Sequence, residues 1–187
     1  MSDYLRNPIE FLLTVIFQLY ILAVMLRFLL QWVRADFYNP LSQAIVRVTN
    51  PALRPLRRLI PGFGGLDLAA LVLVLALQML LGFLLALLNG TSLNPALMLL
   101  WSIGELVELT LNVFIFSLVI QAVLSWVTPG HYNPASSLLY RLNEPLLRPA
   151  RRLIPPVSGL DFSPLVVILF LQVLKMLIMP LFAMAIR

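Results

Sequence analysis

The sequence predicts an all-α membrane protein with four transmembrane helices, built as two parallel two-helix repeats. Each repeat carries an amphipathic, interfacial helical connector. Three observations lead there. Of 187 residues, 61% are hydrophobic and only 11% charged, against about 25% charged in typical soluble domains. The stretch LRPLRRLIPGFGGLD at 53–67 recurs as LRPARRLIPPVSGLD at 147–161, an ungapped offset of 94 residues. Between 31–78 and 125–172, 24 of 48 aligned positions are identical, and identity at one fixed offset marks a duplication. Long apolar runs flank both copies, so the repeats divide at 1–94 and 95–187.

The first apolar run, 9–33, contains Glu10, Gln18, Arg27 and Gln31. A span needs about 20 residues to cross roughly 30 Å of hydrocarbon, so this run crosses with some tilt. The N-terminus, MSDYLRNPIE, lacks a basic region and a small-residue cleavage site, so the run is expected to be retained rather than removed as a signal peptide. Arg27 sits close enough to the Val33 end to snorkel to the surface. Trp32 suits an interfacial anchor.

Asn39 and Pro40 start a connector helix, with proline where its missing N–H costs nothing. Pro51 is expected to stop it. A second piece, 51–60, sets Leu53, Leu56, Leu59 and Ile60 against Arg54, Arg57 and Arg58, the pattern of a helix lying in the membrane interface. Pro61, Gly62, Gly64 and Gly65 turn the chain. Asp67 then caps a second span at 68–88, closed by Asn89 and Gly90. The uncharged linker 89–104 reads as a short interfacial or part-inserted helix.

The second repeat follows the same order. A third span at about 105–127 opens with Glu105 and Glu108 and closes with Trp126. The connector repeats Asn133-Pro134, Arg141, Arg148, Arg151, Arg152, Gly159 and Asp161. Ser163-Pro164 makes a stronger helix start than the first copy's Ala69-Ala70. The fourth span is about 162–186. Nine of the 13 basic residues lie in 34–67 and 128–161. Four spans place both connectors on one side, and the positive-inside rule makes that side cytoplasmic, with both termini outside. The repeats then share one orientation about an axis along the membrane normal.

Polar groups inside hydrocarbon are expensive and therefore informative. Gln18 aligns with Asn112, and Gln78 with Gln172, all near mid-membrane. Two readings stand: four amides converging on a pseudo-twofold axis to line a polar path, or interhelical hydrogen-bond glue. Lys175 faces Leu81 across the alignment and is placed to pair with Glu108 or Glu105 by stretching outward.

The arginine clusters Arg54, Arg57, Arg58 and Arg148, Arg151, Arg152 are the strongest repeated signal. They fit binding of anionic lipid at the cytoplasmic face, docking of a membrane or cytoplasmic protein partner, or ion pairs of Arg54 or Arg58 with Asp67 and of Arg148 or Arg152 with Asp161. Nucleic acid is not expected, because the arginines alternate with membrane-seeking leucines rather than exposed aromatics. No nucleophile–base spacing, phosphate loop or His–carboxylate metal pattern occurs; His131 is the single histidine and there is no cysteine. No catalytic residue, metal or cofactor is expected. Homo-oligomerisation stays open.

The duplicated unit resembles the YggT family, whose chloroplast and Gram-positive members are often called YlmG. The resemblance rests on Asn39-Pro40, Arg54-Pro55, Arg57 to Pro61, Gly65 and Asp67, with partners at Asn133-Pro134, Arg148-Pro149, Arg151 to Pro155, Gly159 and Asp161-Phe162-Ser163-Pro164. It covers nearly the whole chain in the two-copy, proteobacterial form. The resemblance implies a bacterial inner-membrane protein. It also implies links to osmotic and ion homeostasis, cell division, nucleoid organisation or cytochrome maturation. Where the second copy has Asp-x-Ser-Pro, the first has Ala69 and Ala70, so the first copy is expected to be the weaker-capped one.

Overall fold

In the computed structural model, residues 3–91, 94–127, 133–153 and 161–186 are described. They form six helices: α1 (Asp3–Trp32), α2 (Pro40–Leu59), α3 (Leu68–Asn89), α4 (Pro95–Val127), α5 (Pro134–Leu153) and α6 (Ser163–Ile186). Four segments are long and apolar enough to span a bilayer: Leu5–Trp32, Leu68–Asn89, Pro95–Ser125 and Ser163–Ala185. Their outward faces carry Phe11, Ile16, Leu19, Leu169, Phe170 and Met176, all well exposed. An apolar surface of that extent is stable only against lipid. The chain is a multi-pass membrane protein.

Three elements differ from the sequence reading. The connector is not broken at Pro51; α2 runs unbroken through Pro51 and Pro55, and α5 likewise through Pro145 and Pro149. Each proline removes one helical hydrogen bond, but packing against the spans holds the helix together. Among its described residues the linker 89–104 contains no separate helix: α3 runs to Asn89 and α4 begins at Pro95. Gly90 closes α3 in the left-handed region at φ 64°, where glycine carries no Cβ penalty. Helix α4 starts at Pro95, with the Asn94 side chain accepting the Ala96 N–H at 3.0 Å. That is the same Asn-Pro start as Asn39-Pro40 and Asn133-Pro134. Finally, α1 begins at Asp3 and takes in Pro8, six residues earlier than position 9.

Between α2 and α3, Phe63 and Leu66 exchange backbone hydrogen bonds of 3.2 and 3.0 Å. The turn they enclose puts Gly64 at φ 61° and Gly65 at φ 85°. Two successive positive φ values define a tight primed turn that only residues such as glycine and asparagine enter readily. This is the physical role of Gly65 in the repeated motif.

Helices α1, α2 and α3 pack on one another, and α4, α5 and α6 repeat the arrangement. One apolar core includes Ile21, Leu53, Val74, Leu118, Leu147 and Leu171, one from each helix. Both connectors lie at the same end of the bundle, because α2 touches α5. Between repeats, α3 lies along α4, and α1 meets α5. A Cβ on Gly82 of α3 would come within 2.7 Å of the Trp101 ring of α4, so glycine permits that close approach. Among the described residues, α6 makes no matching approach to α1, nor α2 to α4. The repeats are parallel but packed side by side, not around the expected pseudo-twofold axis; the short 90–94 connection forces α3 and α4 to be neighbours.

Candidate functional site: connector helices and intramembrane polar groups

The connectors bury their apolar faces on the protein's own spans. In α2, Ser42, Thr49 and Leu53 are buried, with Ala52, Leu56 and Ile60 packed beside them. In α5 the buried set is Leu138, Leu142, Asn143 and Leu147. Leu53 and Leu147 are fully enclosed, each stabilising the docked position by about 1.5–3 kcal/mol at most. Of the apolar residues named for 51–60, Leu53, Leu56 and Ile60 thus pack against the bundle while Leu59 stays exposed, so both connectors are amphipathic with part of the apolar face taken up by the protein itself. What points outward is Arg54, Arg58, Arg148 and Arg152. Leu59 and Leu153, 80% and 83% exposed, stand beside them.

Arg57 and Arg151 behave differently. Each lies four residues beyond a buried leucine, so it shares the inward face and reaches the start of the following span. Arg57 pairs with Asp67 and also donates to Gln31 at 3.3 Å. Arg151 pairs with Asp161 at 2.9 Å and with Glu144 at 3.1 Å. Arg54, Arg58, Arg148 and Arg152, the partners expected from sequence, point away. Asp67 also caps α3, accepting the Ala70 N–H at 3.3 Å. Asp161 accepts the Ser163 N–H at 2.9 Å. Burial pushes the Asp161 carboxyl up, but the Ser163 N–H and Arg151 outweigh it and hold it below the usual carboxylate range. The cap bond of the first copy is the longer of the two, while its aspartate is the more buried: the Asp67 side chain is 3% exposed, against 37% for Asp161.

A second pair of contacts was not anticipated. Arg27 does not snorkel; it is 4% exposed beneath α2. Its Nη1 donates to Thr49 Oγ1 at 2.7 Å, Asn50 Oδ1 at 2.8 Å and the Val46 carbonyl at 3.3 Å. Its Nε is buried without a partner. At the equivalent positions of the second repeat stand Gln121 and Asn143. Asn143 Nδ2 donates to Gln121 Oε1 at 2.8 Å, and Ser117 Oγ donates to Asn143 Oδ1 at 2.6 Å. The signal in the sequence was that 27/121 are polar in both copies inside an apolar run and that 49/143 are polar in both copies.

The mid-membrane amides do not converge. Gln78 is fully buried with its Nε2 unpartnered, Gln172 is exposed, and Gln18 is half-buried. Among the described residues no hydrogen bond joins any two of the four. Asn112 instead accepts from Lys175 Nζ at 2.9 Å, and Lys175 pairs with Glu108 at 2.7 Å. Glu108 and Asn112 are one turn apart on α4, so a single lysine of α6 reaches both. Glu105 lies on the preceding turn of the same helix, partly buried. Pro164 occupies the first turn of α6 behind Ser163. Gly159 and His131 lie outside the described residues, as does the Trp126 side chain. Among the described residues no three of His, Cys, Asp and Glu come together to hold a metal ion.

The CCB3/YggT family model matches this chain twice, over residues 7–88 and 100–182. An uncharacterized protein of Pseudomonas aeruginosa is 51% identical over 176 residues, 93% of this chain and 89% of its own length. The chain belongs to the CCB3/YggT family. The uncharacterized protein YggT of Escherichia coli K12 is 40% identical over 172 residues, 91% of this chain and 88% of that protein. The uncharacterized protein ycf19 of Porphyra purpurea is 33% identical over 81 residues, which is 43% of this chain but 81% of that protein. That relative is close to the length of one YggT unit. No solved structure matches.

The two YggT units therefore present two rigid, arginine-bearing helices at one end of the bundle, each pinned by a polar contact to its first span and an ion pair to its second.

Proposed function

We propose that this protein is a non-enzymatic scaffold of the bacterial inner membrane whose two connector helices, on the cytoplasmic side, bind anionic lipid. The observation that carries the reading is the outward set Arg54, Arg58, Arg148 and Arg152, fixed on docked helices beside the exposed Leu59 and Leu153. Each basic residue near an anionic surface contributes about 1 kcal/mol, and an adjacent leucine adds attraction to the acyl boundary. Rigid docking keeps these groups from losing conformational freedom on binding.

Native mass spectrometry of the detergent-purified chain tests it. Phosphatidylglycerol is expected to stay bound in preference to phosphatidylcholine. Replacing Arg54, Arg57, Arg58, Arg148, Arg151 and Arg152 together by glutamine is expected to abolish that preference while the four spans still insert. An unchanged preference in the six-fold variant would overturn the proposal.

A second reading, a role in ion or osmotic balance as a small channel or transporter modulator, is favoured by the Glu108–Lys175–Asn112 group within the spans. Four amides that fail to meet give it no continuous polar path. Absence of ion flux in proteoliposomes, with and without an osmotic gradient, would remove its autonomous-channel form.

A further inference from the structure

One cleft lies between α1 and α2; a second lies against the corresponding face of α5, with Asp36 of the first repeat opposite it. The first, about 530 Å³, is lined by Arg27, Gln31, Gln43, Arg47, Asn50 and Arg57, with no carboxylate. The second, about 550 Å³, is lined by Asp36, Ser137, Tyr140, Arg141 and Glu144. Ser137, Arg141 and Glu144 are the alignment partners of Gln43, Arg47 and Asn50. Similar spaces have thus been given opposite charge: three arginines in one, and one arginine against two carboxylates in the other.

The first cleft is also electrically incomplete. Arg27 is a buried cation whose three hydrogen bonds all run through Nη1 to neutral oxygens. Its Nε has no partner, and among the described residues no carboxylate forms an ion pair with it. Asp67 attracts it only from beyond ion-pair distance while holding Arg57 directly, and a buried charge balanced so weakly is costly. Asn50 keeps the rim neutral where Glu144 in the second repeat reaches over to Arg151. Gln31, Gln43 and Asn50 add amide donors around the arginines. Arginine forks with amide donors in a space of several hundred Å³ make a receptor for a tetrahedral oxyanion.

We propose that the cleft between the end of α1 and α2 is a binding site for a single phosphate monoester, held by Arg27, Arg47 and Arg57, and that the second repeat's cleft binds none. The inference rests on the reading of the connectors as an anionic-lipid surface and narrows it to one repeat. The phosphate can belong to a lipid headgroup or be free in solution; the chemistry recognised is the same.

Native mass spectrometry of the full chain with added phosphatidic acid provides the test, with phosphatidylglycerol, a diester, as comparison. One phosphatidic acid per chain is expected to bind more tightly than phosphatidylglycerol. Arg47 and Arg141 are both exposed and aligned, so Arg47→Gln and Arg141→Gln remove the same charge from the two repeats without disturbing buried contacts. Arg47→Gln is expected to weaken the tight site by about tenfold, and Arg141→Gln by less than about twofold. Asn50→Glu, which imports the second repeat's acid, is expected to match Arg47→Gln, with helix content unchanged by circular dichroism. Displacement by excess inorganic phosphate supports the site and assigns free phosphate as its ligand; resistance to displacement supports it and assigns the lipid. Equal losses from Arg47→Gln and Arg141→Gln would overturn the cleft while leaving the lipid-binding surface standing. No preference for either anionic lipid in the unaltered chain would overturn both.

Discussion

In the first repeat, Arg27 reaches from α1 to Thr49 of α2; ninety-four residues on, Gln121 of α4 meets Asn143 of α5. Both contacts close over 22 residues and clamp a connector to its first span. Their chemistry differs. The second is neutral: the Asn143 side chain accepts from Ser117 and donates to Gln121, so both ends of its amide are used. The first encloses a guanidinium, which costs several kcal/mol to desolvate and leaves Nε idle. The difference teaches that docking needs a polar contact at this register but not a charge. The charge in the first repeat exceeds what docking demands, and it faces a cleft.

The sharpest way to break the comparison is on the neutral side. Asn143→Leu strands the Gln121 amide and removes the acceptor of Ser117, so a loss of about 2–4 kcal/mol is expected, read by thermal unfolding in detergent. Next come the ion pairs. Arg57→Gln leaves Asp67 buried and is expected to cost about 1–3 kcal/mol, because a charge left without its partner is penalised. Arg151→Gln acts on a half-exposed pair and is expected to cost less than about 1 kcal/mol. Equal costs would mean that the two pairs are not differently buried.

Smaller still is the exchange of one anchor for the other. Arg27→Gln with Thr49→Asn writes the second repeat's contact into the first, and stability is expected to stay within about 1 kcal/mol of the original. A large loss would show that the charge itself docks α2. The smallest effect is the pH dependence of Asp161. Its pKa is lowered in the folded chain, so it contributes stability that is fully present above the unfolded value of about 3.9 and lost as pH falls through the folded value. Acid melts of the original chain and of Asp161→Asn are expected to separate near neutrality and converge in that acid range. The gap is modest because Asp161 is half-exposed.

The spans, the duplicated unit, the capping aspartates and the Glu108–Lys175 pair were legible in the sequence. Each follows from local pattern: run length, fixed offset, helix-start chemistry, charge spacing. The contacts between connector and span were not. Arg27 and Thr49 stand 22 residues apart, and only the docking angle of α2 decides that the arginine turns inward instead of snorkelling. The same angle selects Arg57 over Arg54 and Arg58 for Asp67. Pro51 misled because a proline's local cost was set against helix propensity alone, whereas Leu53 and its neighbours hold the helix by packing. Asn94-Pro95 was readable, since the same pair starts both connectors, but the uncharged linker hid it. The side-by-side packing of the repeats has one sequence signal, the short connection that makes α3 and α4 neighbours, and it was hidden with Asn94-Pro95 in the linker.

Everything proposed for the connectors requires their arginine faces to share the cytoplasmic side. The chain has no native cysteine, so Arg58→Cys and Arg152→Cys each introduce one exposed thiol. Labelling with a membrane-impermeant maleimide in sealed vesicles of known orientation reads the side directly. Both thiols are expected to react only when the reagent reaches the cytoplasmic face. Reaction of either from the opposite face would contradict the four-span arrangement and the shared arginine surface built on it.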